Sequence, residues 1–190
     1  MDAEDRREHW REVYADKSTD ELTWYQQRPT ISLELIAEAA ERAGLEDEIR
    51  VIDVGAGAST LEDYLADNED YAVTALDLAP EALERTRERI GEEAAQKVEW
   101  MVGDVTDQLN ELEGFDVWHD RAVFHFLTER LEREAYRANL HRAISPGGHA
   151  VISTFSLEGP EECSGLEVRQ YSPESLAREL RPHGMGASVL

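Results

Sequence analysis

Apolar residues along this chain follow two rhythms, and the alternation between them predicts its architecture. Between positions 30 and 43, Leu33, Ile36, Ala37 and Ala40 stand at i, i+3, i+4 and i+7, the spacing of one buried helix face. Gly44 stands where a helix in that register would end. Short apolar runs of strand length then recur at 50–54, 71–76, 98–102, 115–119 and 149–155. Helical stretches separate several of them. One covers 59–66, with Leu61, Tyr64 and Leu65 on one face. Another runs from Pro80, a residue suited to a first helical turn, to about position 90. A third covers 129–144, with a stripe of Tyr136, Leu140 and Ile144. A polar helix over 3–16, carrying Trp10, Val13 and Tyr14 on one side, precedes the series. Ser172-Pro173 opens the last helix, with Ser172 as its cap.

Strands alternating with helices imply βαβ units and a mostly parallel sheet, and right-handed crossovers put helices on both of its faces. Ligands of such sheets bind beyond the carboxyl ends of the strands, near the switch point in strand order. Residues that follow each strand are therefore the candidates for chemistry. The length of 190 residues suits one domain, read as an N-terminal helix and cap (1–29), a core (30–156), and a lid with a short C-terminal end (157–190).

Charge narrows the partners. Asp and Glu number 42 against 19 Lys and Arg, a formal net charge of −23, and Lys17 and Lys97 are the only lysines. Such a field repels phosphate backbones, so nucleic acid and anionic membrane are excluded as expected partners. The same surface suits a halophilic cytoplasm, where salt screens self-repulsion. Cys163, the single cysteine, rules out an internal disulfide or a Cys-rich metal site. Residues 1–5 show no basic start or apolar run, and the longest uncharged stretch (143–157) is broken by Pro146, Gly147 and Gly148. A soluble, cytoplasmic protein is the expectation.

Four motifs lie at strand ends. Asp53-Val54-Gly55-Ala56-Gly57-Ala58-Ser59-Thr60 carries a strand through a glycine turn into a helix, which lets backbone approach a ligand closely. A dinucleotide fingerprint would need a glycine at Thr60. Asp53 would sit badly beside a pyrophosphate but suits a ligand with an ammonium group. Asp77, followed by Leu78, closes the second strand 22 residues after Gly55, where a carboxylate can accept both hydroxyls of a ribose. Gly103-Asp104-Val105 ends the third strand; Asp104 could accept from an adenine amino group while Val105 packs on the ring. Pro146-Gly147-Gly148 turns tightly into the fifth strand.

In order and spacing these four motifs resemble the class I S-adenosylmethionine-dependent methyltransferases, over about residues 30–155. The resemblance implies a Rossmann-like α/β fold and S-adenosylmethionine as cofactor. By position, Gly55, Ala56 and Gly57 would pass under its methionine part with Asp53 nearby. Asp77 would hold the ribose, and Leu78, Asp104 and Val105 would frame the adenine. The sequence departs from the common pattern at Ser59, where a third glycine is frequent; serine is small and can cap the next helix.

The flanks resemble the family more loosely. Trp24-Tyr25-Gln26-Gln27-Arg28-Pro29 looks like the segment preceding the core in small methyltransferases. Arg28 could pair with the cofactor carboxylate or make a surface contact at a helix end. Trp24 and Tyr25 could roof the methyl-transfer pocket or staple the N-terminal helix to the body. After the fourth strand, His119 and Asp120 are candidates for substrate alignment or proton removal, and His125 and Tyr171 for the substrate pocket. No triad is demanded, because a sulfonium is already an activated leaving group and alignment does most of the work. The substrate would be a small metabolite or a protein side chain; the alternative is a non-catalytic cofactor-binding or truncated pseudo-enzyme module. Family members usually add a C-terminal hairpin as their last two strands. Residues 182–190 hold at most one short strand, so the hairpin is expected to be truncated and the sheet edge open, a place where an oligomer could form.

Overall fold

A computed structural model describes residues 3–16, 21–22, 24–44 and 48–181. Helix α1 (Ala3–Asp16) lies across the top of the molecule, and α2 (Thr30–Ala43) packs beneath the sheet. Five parallel strands follow: β1 (Ile49–Val54), β2 (Tyr71–Asp77), β3 (Val98–Val102), β4 (Phe115–Arg121) and β5 (Ile144–Ser153). Their spatial order is β3-β2-β1-β4-β5. Crossovers run through α3 (Leu61–Leu65), α4 (Pro80–Ala95) and α5 (Arg130–Ala143), and α6 (Pro173–Leu180) closes the described chain. The direction of strand order reverses between β1 and β4, so the crevice that such sheets use for ligands opens above their C-terminal ends.

Both faces of the sheet are covered, so its inner strands are near-continuous apolar runs. Val51 and Val117 face α2 and α4 with Ile36, Leu61 and Leu83; Ile52 and Trp118 face α5 with Phe124, Tyr136 and Leu140. The local signals operate as their chemistry requires. Gly44 ends α2 in the left-handed region at φ 65°. Ser59 Oγ accepts from Leu61 N–H at the start of α3 (3.0 Å), and Ser172 Oγ from Ser175 N–H at the start of α6 (3.2 Å). The helix expected to stop near position 90 kinks at Gly91 (φ 82°, ψ 164°) and resumes to Ala95. The Pro-Gly-Gly turn lies within β5 rather than before it, with a register shift against Phe115–Val117.

The segment expected as an irregular lid contains a short antiparallel hairpin, β6 (Glu162–Cys163) and β7 (Leu166–Glu167), turning through Ser164 and Gly165. Its exit is tied to the sheet ends: Arg169 N–H donates to the His125 carbonyl (2.7 Å) and Tyr171 N–H to the Phe155 carbonyl (2.9 Å). The expectation of a truncated C-terminal hairpin falls on residues 182–190, outside the described residues. No described helix is long and apolar enough to cross a membrane.

Candidate active site

The residues just past the strands come together in one cavity of about 370 Å³, in the size range of small-molecule sites. Val54 and Gly55 at the end of β1, Asp77 and Leu78 at the end of β2, and Gly103, Asp104 and Val105 after β3 form one end of it. Arg121 and Ala122 from β4, and Ser153 and Thr154 from β5, form the other. Trp10, Tyr14 and Trp24 roof it from the N-terminal segment.

The glycine turn is close-fitting. Gly55 adopts φ 71° and Gly57 φ 49°; a Cβ on the first would collide with Val123 Cγ2, and on the second with Tyr14 Oη. Gly55 N–H donates to the Leu76 carbonyl at 2.7 Å, which joins the turn to the end of β2. Asp77 is buried there, with Oδ1 accepting from Ala79 N–H at 2.7 Å. Burial pushes its carboxyl up to about 6 against the lowering effect of these backbone donors. Asp104 is also buried: Oδ1 accepts from Thr106 N–H (2.8 Å) and Thr106 Oγ–H (2.7 Å), and Oδ2 pairs with Arg6 at 3.3 Å. Arg6 continues to Glu132 at 3.0 Å, so a buried ion-pair chain fastens α1 across this end.

Beneath the turn lies a second network. Burial pushes His119 down to about 4, so the ring is neutral; its Nδ1 is hydrogen-bonded with Asp53 Oδ1 (2.6 Å) and its Nε2 with Ser32 Oγ (3.0 Å). Burial raises Asp53 to about 7, opposed by the neighbouring Glu62 side chain and the charge of Arg121. Glu62, fully buried, is pushed well above the usual carboxylate range by burial and then by Asp53. This has a measurable consequence. Acids whose folded pKa exceeds the unfolded value bind extra protons in the folded state, so stability falls as pH rises through the folded values. The lowered histidines act oppositely, but only below about 6.5. Between pH 6.5 and 8 the carboxyls act alone, chiefly Asp53 and Glu62, and the ligand-free protein should lose stability as pH rises. Thermal unfolding at fixed salt checks this; a melting temperature that rises across the window contradicts it.

The expected site residues divide by location. Asp53, Gly55, Ala56, Asp77, Leu78, Asp104, Val105, His119, Trp24 and His125 all line the cavity, and Gly57 forms its turn just behind. Trp24 lines the cavity and packs edge-on against Trp10 at 5.8 Å. Four residues stand elsewhere. Tyr25 is exposed. The Arg28 guanidinium lies outside the cavity, 4.5 Å over the Tyr64 ring, just before α2. Tyr171 is buried against Phe124, away from the cavity wall. Asp120 points to the opposite sheet face from His119, where its carboxylate accepts from Val123 N–H, Phe124 N–H and Tyr136 Oη–H. Asp120 thus holds the turn after β4, and His119 is bonded to Asp53 and Ser32.

Several wall residues were not anticipated. Arg6, Trp10 and Tyr14 arrive on α1, and no local pattern marks them as ligand-facing. Arg121 could have been found from its place at the end of the fourth strand; it gives one donor to the Trp24 carbonyl (3.1 Å). Ala122 holds φ 81° at the switch point, a conformation costly to a residue with a Cβ and concentrated at functional sites.

Residues 52–150 match the methyltransferase domain family. The chain belongs to that family. Among relatives, Nodulation protein S of Rhizobium tropici is 33% identical over 103 residues, covering 54% of this chain and 42% of that protein. Malonyl-[acyl-carrier protein] O-methyltransferase of Paenibacillus sp. (strain JDR-2) is 27% identical over 167 residues, covering 85% and 58%. The methyltransferase chain thus spans about half the length of the curated relatives it matches. Its fold is that of Burkholderia thailandensis 1,6-didemethyltoxoflavin-N1-methyltransferase, crystallised with 1,6-didemethyltoxoflavin and S-adenosylhomocysteine (TM-score 0.69, 22% identity, 95% of this chain and 78% of that one). The cavity suits a ligand such as S-adenosylmethionine: the buried Asp77 carboxylate lines one end, a close-fitting glycine turn lies beside it, and apolar walls stand beyond.

Proposed function

We propose that this methyltransferase transfers a methyl group from S-adenosylmethionine to a small molecule enclosed beneath α1 and the β6–β7 hairpin. The observation that carries the reading is the continuity of one cavity, from the Asp77 carboxylate past the glycine turn to an aromatic wall after β4. In this reading Asp77 accepts the ribose hydroxyls, and Leu78 and Val105 sandwich the adenine. Asp104 accepts from the adenine amino group while keeping Thr106 and Arg6. Asp53 faces the ammonium, and Arg121, with donors to spare, takes the place first given to Arg28 at the carboxylate. The cofactor supplies a methyl group already activated by a sulfonium charge. The chain's own residues align the acceptor and exclude water. Enclosure by Trp10, Tyr14 and Cys163 favours a small acceptor over a protein side chain.

The net charge of −23 supports a high-salt cytoplasm as the working environment. Calorimetric titration with S-adenosylhomocysteine should therefore be run in molar KCl, where the Debye length is about 3 Å. Micromolar binding to the folded wild-type chain is expected. Absence of binding by a folded chain overturns the reading.

A further inference from the structure

Charge is spread unevenly around the cavity. Among the described residues its carboxylates are Asp53 in β1, Asp77 at the end of β2 and Asp104 just past β3. All three stand at the end where the reading above places the cofactor. The wall after β4 and β5 holds no carboxylate among the described residues, and its charged side chain is Arg121. A protonated amine there would face a guanidinium and find no counter-charge. In the same reading Arg121 is taken by the cofactor carboxylate, so an anion gains little. The acceptor that this end suits is uncharged.

Shape selects further. Four aromatic rings line this end and are only half-buried by the chain: Trp10 on α1, Trp24 before α2, Phe126 in the short helix Phe124–Phe126, and Phe155 just past β5. Neighbouring Trp118 and Phe124 are, by contrast, buried completely in the core. The rings around Trp10 are not stacked on one another. Trp10 meets Trp24 at 85° and 5.8 Å, and Phe126 at 78° and 5.1 Å. Edge-on packing of this kind leaves ring surface for a further ring. Phe155 is held from behind by the His125 ring, stacked on it at 4.6 Å and 18°. A flat ring laid on such a wall gains about two- to tenfold in affinity per ring contact beyond its apolar area. A puckered, saturated molecule of equal area gains none of this. The wall also has a polar part. Ser153 ends β5 and Thr154 follows it; both line the cavity, and each hydroxyl can donate and accept.

Resting on the methyl-transfer reading above, we propose that the acceptor is an uncharged, flat aromatic ring with a polar substituent on its rim. It lies against Trp10, Trp24, Phe126 and Phe155, with the substituent at the Ser153 and Thr154 hydroxyls. Trp10 and Phe126 are then residues that determine specificity.

Cys163 provides the test. It is the chain's single cysteine and lies half-buried in the cavity wall, so its rate of alkylation by iodoacetamide reports whether this end is occupied. The full chain in molar KCl, saturated with S-adenosylhomocysteine, is challenged with four probes of similar size. These are 2-naphthol, its saturated counterpart 2-decalol, the cation 2-naphthylmethylammonium and the anion 2-naphthoate. Alkylation is followed by mass spectrometry. Half-protection by 2-naphthol should need a concentration lower by about tenfold or more than any of the other three. Trp10→Leu and Phe126→Leu each keep an apolar wall and remove one ring. Either should raise the 2-naphthol requirement by about two- to tenfold and leave 2-decalol unchanged. Melting and S-adenosylhomocysteine affinity report that the variants are folded. Protection by 2-decalol or by the cation at concentrations equal to or below that of 2-naphthol overturns the proposal. So does the absence of protection by every probe, or an equal loss for 2-naphthol and 2-decalol in both variants. Failure to bind S-adenosylhomocysteine at all defeats the functional reading itself, which is a separate result.

Discussion

Replacing Asp77 with alanine should weaken S-adenosylhomocysteine binding by about 10²–10⁴-fold. The carboxylate is buried at the end of β2, one oxygen is 2.7 Å from Ala79 N–H, and the side chain lines the cavity beside the glycine turn. Hydrogen bonds to a charged group are worth roughly 1.5–3 kcal/mol each. Loss of two to a ribose removes about 3–6 kcal/mol, at about 1.4 kcal/mol per tenfold in affinity. Relief from burying the charge, which already raises Asp77 to about 6, places the result toward the lower end. Alanine also leaves Ala79 N–H without its partner, so fold must be checked by melting. Asp77→Asn keeps an acceptor for that N–H and removes the charge, and its loss should be smaller. Calorimetry on both variants decides the matter. A folded Asp77→Ala chain that binds within threefold of wild type would remove Asp77 from the cofactor site.

Asp77 was legible because its signal is local: a strand, an acidic residue at its end, and a fixed distance from a glycine turn. The same holds for Asp53, Gly55, Gly57 and Asp104. The parallel sheet was legible because apolar runs of strand length alternate with helix-period stretches. Orientation was not. In a sheet covered on both faces every second residue is buried either way, so nothing in Trp118-His119-Asp120 tells which side chain meets the cavity. The structure sends His119 toward Ser32 and Asp120 toward Tyr136. The roof was also hidden. Arg6 reaches Asp104 across 98 positions, and Tyr14 presses on Gly57 across 43. Such contacts exist only once α1 has docked, and a polar helix with a few aromatics is equally a surface helix. Arg28 and Arg121 illustrate the point. Both are arginines near a motif, and only packing against Tyr64 or Trp24 separates a surface contact from a cavity wall.

Asp120 offers the sharpest test of a structural role against a catalytic one, and a large stability change is expected there. Its carboxylate is fully buried and accepts from Val123 N–H (2.8 Å), Phe124 N–H (3.1 Å) and Tyr136 Oη–H (2.7 Å); Tyr136 Oη in turn accepts from Trp118 Nε1–H (2.9 Å). Asp120→Ala leaves three buried donors with no acceptor. Each unmet group costs about 1–3 kcal/mol. Holding the charge in the interior is itself unfavourable, as the raised pKa of about 6 indicates, and this offsets part of the sum. We set the net destabilisation at about 4 kcal/mol, a size diagnostic of a broken buried network. At roughly 2–4 °C per kcal/mol for a chain of this size, melting should drop by on the order of 10 °C. The turn that Asp120 holds leads directly into the Phe124–Phe126 helix and so fixes His125 against Phe155. Loss of acceptor turnover should therefore accompany the loss of stability, because the turn carries Ala122, Val123 and Phe126 of the cavity wall. A catalytic carboxylate would behave differently, with kcat falling while the melting temperature stayed within a degree or two. Thermal melts in molar KCl, read alongside kcat and KM on the same variant, separate the two.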